Sequence, residues 1–202
     1  MMRVLVMVAL LVGCGPKAPP RELTGRWPQM AYDYDATTKS WTVYGELGDV
    51  YQEIISVYAV FKSPQWRAAR GNRDAYFRGL EGEAREQIMV QARAETMGPY
   101  EVELLVTTWE RRENDLDKGD RSVWKVRLID EAGNEIKPLE IVKDKRPAFT
   151  IRSDYPSFGD FATAYIVRFP RDKALLGDGV KRLRMRISSV RGFLAMEWTA
   201  EQ

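Results

Sequence analysis

From residue 100 onward, short runs of alternating apolar and polar residues are broken by clusters of Gly, Pro, Asn and Asp. Such a period of two predicts strands with one buried face, because successive side chains leave a strand on opposite sides. The runs 100–109, 122–129, 135–142, 148–152, 161–169, 182–190 and 193–199 fit it. Asp130-Glu131-Ala132-Gly133-Asn134 and Arg191-Gly192 supply hairpin turns between neighbouring runs. Upstream, 30–35 and 40–47 carry Tyr32, Tyr34, Trp41 and Val43 in alternation around Ala36-Thr37-Thr38-Lys39, which predicts a first hairpin. Residues 54–61, rich in Ile, Val, Tyr and Phe, have the composition of a strand with a strongly buried face.

The pattern changes at Ser63-Pro64. A serine hydroxyl can cap free amides at a helix start, and proline loses no needed donor at the first helical position. From about 64 to 97 the β-branched residues nearly vanish and Ala, Arg, Glu, Gln and Met take over, which predicts two or three helices. Asn72 with Asp74 predicts the start of a short second helix, and 81–97 a longer third, stopped by Gly98-Pro99. Leu80, Ala84, Ile88 and Ala92 recur every four residues and predict one narrow buried stripe. The expected fold is mainly β: an antiparallel sandwich with a helical insertion at about 64–97, immunoglobulin-like architecture being one arrangement that fits. The insertion is expected to cover one end or edge of the sheet.

Composition narrows the chemistry. The chain lacks histidine and has a single cysteine, which removes His-based triads, imidazole acid–base catalysis, His-ligated zinc and an internal disulfide. With 31 basic against 29 acidic side chains there is no polyelectrolyte character to favour nucleic acid. Hydrophobic residues at 45% suffice for a real core within 202 residues.

The N-terminus has its own pattern. Arg3 precedes the apolar run Val4-Leu5-Val6-Met7-Val8-Ala9-Leu10-Leu11, too short to span a bilayer as a stable helix and laid out like a secretory signal. The run ends in Leu11-Val12-Gly13-Cys14. This segment resembles the lipobox of bacterial lipoproteins. The resemblance implies a signal peptide over 1–13, lipidation of Cys14 as the first residue of the mature chain, and attachment to a membrane through acyl chains. Gly15 after the cysteine, rather than Asp, implies sorting to the periplasmic face of the outer membrane in a Gram-negative cell. Residues 14–29, with Pro16, Pro19, Pro20 and Pro28, then read as an extended tether, and 30–202 as the sandwich domain.

Three constellations are candidate sites. The charge run Glu110 to Arg121 contains Asp115, Asp117 and Asp120, but its spacing departs from a calcium loop, so a solvated hairpin loop is expected and no metal or cofactor is assigned. Arg182, Arg184 and Arg186 alternate with Leu183, Met185 and Ile187, which puts three guanidinium groups on one strand face as a candidate binding surface, with Arg168 and Arg171 as additions. Of the six tryptophans at least four are expected in the core, with Trp27 and Trp66 exposed. The expectation is a non-enzymatic envelope lipoprotein that binds a protein partner or acts in assembly. Its rivals are a carboxylate-based hydrolase of envelope polymer and a glycan-binding sandwich.

Overall fold

Two antiparallel sheets face each other in the computed structural model, which describes residues 19–48 and 52–201. The first has five strands: β1 (Thr42–Gly48), β2 (Glu53–Phe61), β3 (Tyr100–Thr108), β7 (Thr163–Phe169) and β6 (Glu140–Lys143), in that spatial order. The second runs β5 (Glu135–Ile136), β4 (Lys125–Ile129), β8 (Arg182–Ser189), β9 (Gly192–Thr199). The protein is therefore a mainly β, sandwich-like fold with a helical insertion.

The period of two does the work that it predicts. Val57, Ala59 and Phe61 of β2, Val102, Leu104 and Val106 of β3, and Tyr165, Val167 and Phe169 of β7 turn toward the second sheet and are buried. They meet Val126, Leu128, Leu183, Met185, Ile187, Leu194, Met196 and Trp198 from the other side. Phe61 and Trp198 touch edge to face at 5.7 Å across the two layers. Gly45 lets edge strand β1 press onto edge strand β9, since a Cβ there would sit 2.8 Å from Met196 Cγ. At the opposite side the chain itself passes between layers, from β5 in one sheet to β6 in the other.

That crossover corrects the strand expected over 135–142: Pro138 cannot donate to a ladder, and the run breaks into two short strands in different sheets. The expected first hairpin is also replaced. Tyr34–Trp41 is helix α1, capped by Asp33 Oδ1, which accepts from Ala36 N at 2.8 Å. Its buried Tyr34, Thr37, Thr38 and Trp41 lie at i, i+3, i+4 and i+7, one helical face, which a period-two reading of the aromatics misses. The 148–152 strand is helix α4 (Ala148–Asp154), where Ile151 and Asp154 are buried and Phe149 is exposed.

The insertion forms two helices. α2 (Pro64–Phe77) is capped by Ser63 Oγ, which accepts from Trp66 N at 3.1 Å. Asn72 and Asp74 start nothing new: they lie inside α2, where Asp74 pairs with Arg70 one turn earlier. α3 (Gly82–Glu95) buries no residue and packs mainly on α2, through the notch at Gly71, where a Cβ would meet Ala92 and Met89 at 3.2 Å. Ile88 and Ala92 of the expected stripe are half-buried there; Ala84 is exposed.

Trp41, Trp66, Trp124 and Trp198 are the buried tryptophans, and each indole N–H has a partner: Gln65 Oε1, Thr38 Oγ1, Glu113 O and Trp41 O respectively. Trp66, expected outside, is 4% exposed, whereas Trp109 at the end of β3 is 67% exposed. A single tryptophan in an amphipathic helix reads equally well on either face until the packing partner is known.

The segment expected as a tether to residue 29 is held to the body much earlier. Leu23 is 2% exposed and its carbonyl accepts from Gly177 N; Arg21 donates to the carbonyls of Ser40 and Thr199; Gln65 Nε2 donates to Pro20 O at 3.2 Å. From Pro20 onward, therefore, the chain is bonded to the body. Cys14 and the segment expected as a signal peptide lie outside the described residues. No helix among the described residues is long and apolar enough to cross a membrane.

Candidate functional site

The outward face of the five-stranded sheet is covered only in part. Toward one end α2 and α4 close over it. Beside them, α1 and the turn after α4 stand apart and leave a cleft of about 530 Å³, a size in the range of ligand sites. Its floor is Tyr44, Tyr58, Val60 and Leu105, three strands of one sheet brought together by register: Tyr44 is paired with Tyr58, and Tyr58 with Leu105. Asp35, Thr38 and Lys39 of α1 form one wall, Tyr155, Pro156 and Ser157 the other. The two tyrosine rings lie 4.7 Å apart at 42°. Tyr44 donates to Glu46 Oε2 at 2.5 Å, and this bond pushes its phenol up to about 12, so it stays neutral at physiological pH.

Behind Tyr155 lies a cluster of buried charge that joins helices to sheet. Asp154, 3% exposed at the end of α4, accepts from Arg70 Nη1 at 2.9 Å and also from Arg73 and Arg146. Burial alone would raise its pKa, but the Arg73 hydrogen bond and the charges of Arg70, Arg73 and Arg146 outweigh it and hold the carboxyl below its ordinary value. Arg146 also grips Asp144. Glu101 on β3 binds Arg67 and Arg168, each at 2.7 Å. Glu103, fully buried beside it, has Lys62 Nζ 2.9 Å from Oε2 as an ion pair but no well-directed hydrogen bond to either oxygen. Burial raises its carboxyl and Lys62 offsets this only in part. Tyr155 separates this cluster from the cleft, stacked on Trp66 at 6.2 Å; burial, then the neighbouring Glu103, pushes its phenol well above the ordinary value.

The sequence-derived surface is elsewhere. Arg182, Arg184 and Arg186 share the outer face of the second sheet, with Leu183, Met185 and Ile187 in the core. Arg186 is paired with Glu135 at 2.5 Å and stands across from Arg127, while Arg184 stands across from Glu197 and its buried Nε has no partner. Arg168 and Arg171 do not join them: Arg168 is on the other sheet with Glu101 and Glu140, and Arg171 lies over the Tyr100 ring at 4.4 Å. The acidic loop is not the expected hairpin but a crossing from β3 in one sheet to β4 in the other. In it Asp115 accepts from Ser122 Oγ at 2.9 Å and Val123 N at 3.3 Å, which shapes the loop, and Asp117 is 3.6 Å from Lys143, which ties it to β6.

Sequence reasoning missed both the cleft and the charge cluster. One signal for the cluster was present, arginines at 67, 70 and 73, three apart on a helix. The acid that Arg70 and Arg73 share, Asp154, is 81 residues beyond Arg73, and Arg67 turns instead to Glu101 on β3; periodicity spans neither separation. No family model, curated protein or solved structure matches the chain.

Proposed function

We propose that this chain is a lipid-anchored envelope module, held by Cys14 at the periplasmic face of the outer membrane, that binds a protein partner and does not catalyse a reaction. The observation that carries the binding reading is the cleft, whose apolar floor and short polar rim suit an apolar segment of a partner with its backbone held at the edge. A hydrolase of envelope polymer would need carboxyl groups free to meet its substrate. Asp35 is the single acid among the residues lining the cleft, where such chemistry takes a pair, and Glu101, Glu103, Asp144 and Asp154, in the cluster behind Tyr155, are each engaged by Lys or Arg. Arg182, Arg184 and Arg186 lie on the opposite side of the sandwich, so a partner in the cleft leaves them free for a second, acidic surface. Two usable faces suit a role in assembly.

A photo-crosslinking side chain at Tyr44, in the lipidated protein in its own envelope, should yield one discrete protein adduct that Ser157→Trp, which fills the cleft, abolishes. The same reporter at Val190, in the β8–β9 turn, should yield none of it. Identical adducts from both positions, or an adduct indifferent to Ser157→Trp, would remove the cleft from the reading. The anchor is checked separately: Cys14→Ser should leave an unprocessed precursor that takes up no labelled palmitate.

A further inference from the structure

We infer that the C-terminal turn of α2, with Tyr76 and Phe77 at its tip, is a membrane-contact face that lies in the interfacial layer of the bilayer to which the chain is anchored. The inference rests on the Cys14 anchor proposed above. Tyr76 and Phe77 are 79% and 73% exposed, with rings 5.8 Å apart, and Met30, the residue before Ala31 in the lining of the hollow they border, is also exposed. The loop that follows Met30 and the end of α2 border one hollow of about 320 Å³, lined by Tyr32, Tyr34, Ala69 and Arg73 together with Tyr76 and Phe77. The fold buries neither ring: Arg73 lies beneath Phe77 at 5.8 Å and is committed to Asp154.

What selects a bilayer as the occupant is the reach of the chain. Five residue steps separate Cys14 from Pro19, beside which Pro20 is bonded to Gln65 at the start of α2. Fully extended, they span at most about 18 Å. A lipid on Cys14 therefore holds this end of the body close to the surface, whatever path the linking residues take. From Gln65 to Phe77 along α2 is also about 18 Å, at 1.5 Å per residue. Tilting the body about its attachment point brings the helix tip down to the headgroups without lengthening the linker. The far end of the sandwich lies farther off: the β8–β9 turn at Val190 is about 31 Å along the chain of β8 from the Lys181 and Ala200 pair that flanks Arg21, given some 3.4 Å per strand residue. Chemistry agrees with geometry. Tyrosine favours the headgroup level, a neighbouring phenylalanine and methionine can enter the acyl boundary, and exposed Arg78 next to them can meet phosphate.

Cys14 is the sole cysteine, and its thiol is consumed when lipidated, so a cysteine introduced elsewhere can be labelled alone. The full lipidated chain, with an environment-sensitive fluorophore on Phe77→Cys, Met30→Cys or Val190→Cys, is reconstituted in vesicles of phosphatidylethanolamine and phosphatidylglycerol containing lipids brominated along the acyl chain. The labels at positions 77 and 30 should be quenched several-fold more strongly than that at 190. Equal, weak quenching at all three positions in protein whose mass carries the lipid would overturn the membrane face and leave the anchor intact. Self-quenching of the position-77 label that rises with protein density, without bromine quenching, would assign the patch to a second copy and also overturn it. A mass without lipid on Cys14 would overturn the anchor, and this inference with it.

Discussion

Replacing Asp154 with Asn tests whether the buried charge cluster holds the helices to the sheet. The shape is kept and the charge removed, so three guanidinium groups lose their common counter-ion, and the amide NH₂ points a donor at donors. Breaking a buried pair from one side costs roughly 3–5 kcal/mol. Arg70 keeps Asp74 at 2.9 Å and Arg146 keeps Asp144 at 2.6 Å, so the loss falls mainly on Arg73, whose other carboxylate contact is 3.8 Å away. An expected loss of about 2–3 kcal/mol follows. For a domain of this size it lowers the melting temperature by about 5–10 °C. The sign of the pH dependence separates charge from packing. Asp154 titrates below its ordinary value in the folded state, so its contribution is present above the unfolded value of about 3.9 and is lost as pH falls through the folded one. Asn has nothing to lose there. The gap between the two proteins, read by urea unfolding, should therefore be full at neutral pH and close in acid, while the similarly lowered Asp144 and Glu101, common to both proteins, cancel. A gap that persists unchanged in acid, or no gap at neutral pH, would refute an electrostatic role.

Gly45→Val should destabilise by about 1–3 kcal/mol, because its side chain would enter the space of Met196 Cγ and Leu194 Cδ1; Gly45→Ala should cost less, since the methionine can turn aside. Chemical denaturation of the pair checks this, and equal stability of Gly45→Val and wild type would show that β1 and β9 are not in tight contact. Changing Arg182, Arg184 and Arg186 together to Gln should leave the protein folded, since the only ion pair they make among the described residues is the exposed Arg186–Glu135, worth less than about 1 kcal/mol. The triple variant should retain the Tyr44 adduct and lose any salt-sensitive binding to acidic partners; unfolding detected by circular dichroism would show that these side chains do more than face solvent.

The class of fold and most of its strands were legible because each depends on local alternation: β2, β3, β8 and β9 lie within a residue or two of the expected runs, and their apolar faces are the sandwich core. The Ser63-Pro64 start of α2 was legible for the same reason, since a cap involves only neighbouring backbone. Where two periods fit equally, local pattern failed. Tyr34 and Trp41 suit alternate strand positions or one turn-spaced helical face, and only contact with Gln65, Trp66 and Asp154 selects the helix. The break at Pro138 was visible as a residue but not as a change of sheet. The cleft and the Asp154 cluster lay beyond sequence reading altogether, because each is made by strand register and helix placement that join residues 44 to 58 to 105, and 73 to 154. Chain chemistry close in sequence thus settles which segments extend or coil, whereas a cavity or a shared counter-ion exists only once distant segments are packed.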